Sequence, residues 1–320
     1  MRYSKLLEPM QPGVQCKNVQ VSCKTRKKRK DNQIILKICL SIIALFCILP
    51  VILVLIASFS SELSIVKKGF SFIPLSWSLK GYMYIGTFGD QVISSYMVSI
   101  FETVCGTFLT ILLSSMFGYA LTKRDFCLKK ALTYFLVITM FVNSGPLASY
   151  VVNVNIYHLR NSLLVLILPG VVGVFGVVMM RTFIISAIPN TLIEAAKMDG
   201  AGEFFTFFRI VFPLMKPILA TIGFMTAVGH WNQWQTSLMY IDDPHFATLQ
   251  LMLIKIENSV TYLSQNSMKL SREQMEQWKD IPSESSRMAI LICTILPVMV
   301  IYPFFQKYFV KGMTIGSIKG

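Results

Sequence analysis

Apolar residues run along this chain in long blocks, and the polar positions between them are few and clustered. The blocks lie at about 34–58, 92–121, 131–152, 163–184, 217–238 and 288–306. A helix needs about 20 apolar residues to cross a bilayer, so each block predicts one membrane-spanning helix. The third is interrupted by Asn143, Gly145 and Pro146. The first is longer than the roughly 7–15 apolar residues of a cleaved signal peptide, which predicts a retained helix. Before it, residues 1–32 are polar and carry a basic run at Lys24, Arg26, Lys27, Lys28, Arg29 and Lys30. Their composition predicts a disordered tail. The region 239–287 is long and amphipathic, equally consistent with a partly helical excursion and with a flexible loop.

The most polar interruption between two blocks is 189–217, PNTLIEAAKMDGAGEFFTFFRIVFPLMKP. Asn190 and Thr191 suit a helix N-cap, and Thr191 with Glu194 has capping-box spacing. The pattern predicts a short helix over 192–198, then a turn at Asp199-Gly200, where Gly accepts positive φ without steric cost. A second helix follows with Phe204, Phe205, Phe207, Phe208, Ile210 and Val211, closed by Pro213 and Pro217. The phenylalanines are expected to bury against the protein's own helices. The small residues Ala195, Ala196, Gly200, Ala201 and Gly202 leave a shallow surface for a close partner.

Composition agrees with a polytopic membrane protein. Of 320 residues, 54% are hydrophobic and only 14% charged, against about 25% charged in soluble domains. The net charge of +14 matters by where it sits. Lys and Arg concentrate in the tail, at Lys123, Arg124, Lys129 and Lys130, and at Lys307, Lys311 and Lys319. The stretch 144–162 holds only Arg160, and 239–287 holds more acids than bases. By the positive-inside rule both termini and the 189–217 loop lie in the cytoplasm. The basic charge points to lipid headgroups and not to nucleic acid. The 7 cysteines show no CxxC or Cys/His spacing, so no metal or redox site is expected. No GxxxxGK[ST] occurs, so ATP is bound elsewhere. The glycines Gly170, Gly173 and Gly176 recur every three residues, a pattern more typical of close helix packing than of a nucleotide loop.

Glu194-Ala195-Ala196, Asp199-Gly200-Ala201, Ile210, Pro213-Leu214 and Pro217 resemble the EAA loop of type I ABC importer permeases. GHWNQW at 229–234 resembles a run in the fifth membrane helix of their carbohydrate-uptake branch. LILPGVVGVFGVVMMRTF at 166–183 resembles the helix entering the EAA loop, and YPFFQKYFVKGMTIGSIKG at 302–320 resembles the C-terminal signature of the polysaccharide and complex-oligosaccharide subgroup. The likeness spans about 33–320. It departs near Tyr150: the subgroup has a Pro a few residues before its Tyr, whereas here Pro146 and Ala148 precede Tyr150, which implies a different local bend.

The resemblance implies an all-α membrane protein with six transmembrane helices: the tail 1–32, a permease domain 33–309 and a cytoplasmic C-terminal tail 310–320. It implies a multi-pass subunit of a bacterial cell membrane that is no enzyme. Its expected partners are a second homologous permease, two ATPase subunits that bind ATP and Mg, an extracytoplasmic solute-binding protein and a carbohydrate. It assigns ATPase coupling to Glu194 and Gly200 first, with Ala195, Ala196, Asp199, Ala201, Gly202 and Pro213 in support. Lys311 and Gly312 are candidate contacts of the ATPases.

Two groups within the blocks are candidates for the translocation path. Glu102 forms a polar and small stripe with Ser95, Ser99, Gly106 and Thr110 at helical spacing. A carboxylate in lipid is costly, so the stripe faces protein or a wet path; contact between helices or permeases is favoured over sugar contact. His230, Trp231, Asn232, Gln233 and Trp234 combine aromatic faces with amides, which suit sugar rings and hydroxyls, while interface anchoring or interhelical packing of the tryptophans stands equally open. The competing class is a self-contained secondary sugar transporter or channel driven through Glu102. An intramembrane enzyme using Glu102, His158 and His230 lacks any metal or dyad spacing.

Overall fold

The computed structural model describes residues 14–123, 125–142, 145–266 and 283–315. Among these there is no strand, only an isolated bridge between Ser60 and Trp77. The first helix, α1 (Val14–Ser58), begins well ahead of its apolar block. The backbone of 14–32, expected to be disordered, is therefore helical: Lys and Arg are good helix formers, and no Gly or Pro interrupts a helix already nucleated in the membrane block. Two short helices follow, α2 (Glu62–Lys68) and α3 (Lys80–Gly86).

The centre of the fold is α4 (Gly89–Ala120). Its buried positions include Ser95, Ser99, Glu102, Gly106 and Thr110, the stripe expected from spacing. Small residues there let neighbours approach closely. A Cβ on Gly118 would lie 2.9 Å from Met180 Cβ and 3.0 Å from the Arg181 nitrogen, so α4 meets its neighbour nearly backbone to backbone.

The third block is not one helix. It divides into α5 (Lys129–Phe141) and α6 (Gly145–Val151), extended by a π turn at Val152–Ile156. Gly145 at φ 73° starts the second piece, and Pro146 has no N–H to continue a helix from before it. The fourth block also breaks, into α7 (Leu164–Ile167) and α8 (Val174–Ala187). Pro169 removes a donor and Gly170 turns the chain at φ 83°. Of the three spaced glycines only Gly176 packs against a helix, 3.3 Å from Ser114 Oγ by its would-be Cβ; Gly170 and Gly173 meet nothing within 4 Å. The expected glycine packing face is thus a single contact beside a helix break.

The fifth block forms α12 (Lys216–Trp231) and α13 (Gln235–Tyr240), and the last forms α15 (Ser283–Ile315). Among the described residues three helices are long and apolar enough to cross a membrane alone, Ile35–Ser58, Gly89–Ala120 and Glu284–Gln306, or up to five if each of two bent pairs is one span. Part of the region 239–287 is helical: α14 (Leu249–Asn266). Leu249, Met252, Leu253, Ile256 and Val260 form its buried stripe with 3.6-residue period and pack with Ile85, Trp231 and Ile290. Glu62 accepts hydrogen bonds from the Glu284 and Ser285 nitrogens at 3.1 and 3.2 Å, capping the start of α15.

Candidate coupling loop and buried polar seam

The interruption at 189–217 is built around α9 (Asn190–Met198), turned 82° from α8. Pro189 holds the extended N-cap conformation, and no side chain caps the helix. The expected capping box does not form: the helix starts at Asn190, which places Thr191 inside the first turn. Glu194 is exposed and has no partner among the described residues. At the other end the Gly200 nitrogen donates to Lys197 O at 3.0 Å and the Ala201 nitrogen to Ala196 O at 2.9 Å. Gly200 sits at φ 78°. The two bonds make a Schellman motif, which needs a left-handed residue and therefore favours Gly.

The second helix of the loop runs from α10 (Glu203–Thr206) through a π turn at Phe207–Val211 into α11 (Phe212–Leu214), then bends 80° into α12. Pro217 lies in the first turn of α12, where a missing N–H costs nothing. Ile193, Phe207, Val211 and Met215 join Tyr119, Met180 and Ile218 in one buried cluster. Of the four phenylalanines expected to bury, only Phe207 does; Phe204 is 71% exposed, and Phe205 and Phe208 are exposed too. One helix face cannot turn all four inward. Between α9 and the Phe205–Ile210 side lies an open groove of about 550 Å³ lined by Ala195, Ala196, Asp199, Gly200, Ala201 and Gly202. The shallow surface expected from small residues is present.

Glu203 was not singled out by the sequence. Its Oε2 lies 2.7 Å from Lys123 Nζ and its Oε1 3.0 Å from Lys197 Nζ. The Tyr119 hydroxyl donates to Oε2 at 2.8 Å, and Lys123 Nζ stands 4.2 Å from the Tyr119 ring centre. Burial works against the Glu203 charge, but Lys123, Lys197 and Tyr119 outweigh it and draw the carboxyl down to about 2. Nothing local in sequence links Lys123 to Glu203, and a turn separates Glu203 from Lys197.

The path candidates diverge. Glu102 is 1% exposed, and its Oε1 lies 3.5 Å from His230 Nδ1. A Cβ on Gly106 would come 2.6 Å from His230 Nε2, so the ring lies across a gap only Gly leaves. His230 also borders a cleft of about 240 Å³ with Thr110, Gly170, Gly173 and Thr226. Trp231 is 5% exposed, and its Nε1 donates to Thr294 O at 3.0 Å; its ring packs in the core and does not face the cleft. Asn232 donates to Val228 O of its own helix at 2.9 Å, and Gln233 binds Thr236. Trp234 is exposed. The helix ends at Trp231, and 232–234 form the connection to α13, so 229–234 is no single surface. Lys311 and Gly312 fall within α15 by backbone, and their side chains lie outside the described residues. No cluster of three metal-ligating side chains occurs among the described residues.

Apolar helices around a polar seam, with an exposed helix and glycine turn set across them, define a membrane transport subunit. The chain belongs to the family described as binding-protein-dependent transport system inner membrane component, which matches residues 73–315. It is 35% identical over 277 residues to the polygalacturonan/rhamnogalacturonan transport system permease protein YtcP of Bacillus subtilis, covering 87% of this chain and 94% of that one. It is 33% identical over 273 residues to Protein LplC of the same organism, covering 85% and 90%. A crystal structure of a bacterial ABC transporter involved in the import of the acidic polysaccharide alginate contains a similar chain, with TM-score 0.73, 25% identity and coverage of 88% of this chain and 98% of that one.

Proposed function

We propose that this chain is the permease subunit of an ATP-driven importer of oligosaccharides released from polysaccharides, and that α9 with its glycine turn is the element an ATPase grips. Membership of a binding-protein-dependent inner-membrane family supports a transport role, and the relatives named for polygalacturonan and alginate favour polysaccharide fragments as cargo. The chain pairs with a second permease, two ATPase subunits holding ATP and Mg, and an extracytoplasmic binding protein. Both termini and the 189–217 loop face the cytoplasm. The observation that carries the coupling role is the exposed Glu194, Ala195 and Gly200 beside an open groove, on a helix whose other face is fixed in the core by Ile193. A helix anchored on one side and bare on the other moves as a lever when its bare side is held.

Glu194→Lys and Gly200→Val are the direct tests. A β-branched residue at φ 78° opposes the turn by about 1–2 kcal/mol. Both variants are expected in the membrane at normal level, with ATP hydrolysis no longer driving uptake in vesicles that hold the ATPase and binding protein. Normal coupled uptake by both would refute the assignment.

A further inference from the structure

We propose that Glu203 is a positioning residue that transmits the movement of α9 to α4, and this inference rests on the coupling reading above. Glu203 stands where three pieces of chain meet. Lys197 belongs to α9, while Tyr119 and Lys123 mark the end of α4 and the turn after it. Each carboxylate oxygen serves a different side: Oε1 meets Lys197, and Oε2 meets Lys123 and the Tyr119 hydroxyl. A displacement of α9 that carries Lys197 therefore loads Glu203, which loads the end of α4.

From Tyr119 to Glu102, α4 is unbroken and contains no Pro. At 1.5 Å per residue this is a rod of about 25 Å. It delivers any tilt or rotation at the cytoplasmic end to the stripe facing His230 and the cleft at Gly173.

The network is poorly suited to be glue. Glu203 is half exposed, and ion pairs in such places add little to stability. The loop is already held by Ile193, Phe207 and Val211 in the core. What the apolar contacts lack is direction. The network itself lines an open cleft of about 340 Å³ together with Met116, Phe126, Phe204 and Phe207. Apolar contacts around that cleft set no single angle between the loop and α4; a directional contact does. Two ammonium groups and the Tyr119 hydroxyl converging on one carboxylate supply it, with Lys123 held in turn over the Tyr119 ring.

The test uses the whole complex with its partner permease, ATPases and binding protein in lipid nanodiscs or vesicles, and oligogalacturonides as the probe sugar. In Glu203→Gln, hydrolysis stimulated by the loaded binding protein and sugar uptake are expected to fall roughly tenfold. Basal hydrolysis, ATPase retention on purification and the unfolding temperature are expected to stay at wild-type values. Glu203→Asp, which keeps the charge, is expected to recover most of the stimulation. Lys123→Gln added to Glu203→Gln is expected to cause no further loss, as for residues acting through one contact. Unchanged stimulation in Glu203→Gln overturns the proposal. So does an additive loss in the double variant, or a loss of ATPase subunits that Asp does not repair. If Gly200→Val uncouples transport while Glu203→Gln does not, only this inference fails. If neither does, the coupling reading fails with it.

Discussion

Replacing the hydrogen of Gly106 with a methyl would place carbon 2.6 Å from His230 Nε2, closer than atoms tolerate. Gly106→Ala is therefore expected to push the ring off Glu102 and cost about 1–3 kcal/mol, seen as a lower unfolding temperature of the purified protein. Trp231→Ala removes a ring buried at 5% exposure and is expected to cost about 3–5 kcal/mol. Calorimetry checks this, and an unchanged transition temperature would argue against its core placement. Glu203 is held near 2, below its ordinary 4.5. The carboxylate is then charged above about pH 4.5 and takes up its proton only as pH falls through the depressed value. The ratio of uptake between wild type and Glu203→Gln should hence stay constant from roughly pH 5.5 to 8. The burial of Glu102 was legible in sequence because a carboxylate at helical spacing from Ser95, Ser99 and Thr110 has few places to go. That it faces His230 was not, because 128 residues separate the two and only packing of α4 on α12 joins them.

At the level of elements, apolar block length found the long helices but not their interruptions. The second block appears as α4 with ends a few residues away, while the last, expected over 288–306, extends to Ser283–Ile315 as α15. The fourth splits at Pro169-Gly170, a break that composition marks and block length hides. The stripe at Leu249, Met252, Leu253, Ile256 and Val260 was present in the letters, yet charged flanks made the region read as an even choice between loop and helix. Since α14 packs through that stripe, Leu253→Asp at a 2% exposed position is expected to detach it. Protease cleavage within α14 in intact vesicles should rise, with α4 and α12 left protected. The coupling helix shows the reverse case. Its Gly turn was legible because few residues accept positive φ. The capping box read from Thr191 and Glu194 does not form, since Pro189 is the N-cap and Thr191 falls inside the first turn.

The whole molecule is unfinished on its own. The apolar window within Ile35–Ser58 is 0% buried inside the chain, and Phe135, Ile138 and Phe141 on α5 are exposed. Such faces are at rest only against lipid or another apolar helix. Expressed without its partner subunits, the chain is expected to give no ATP-driven uptake and to fall in amount, with co-expression of the second permease restoring the level on immunoblots. A different consequence follows from Glu62. The nitrogens it caps are 222 and 223 residues away, at the beginning of the last long helix. During synthesis the ribosome must deliver nearly the entire chain before that carboxylate finds its partners. Until then the segment of α2 and α3 lacks its contact with the last helix. A chain stalled or cut before residue 284 lacks this closure altogether.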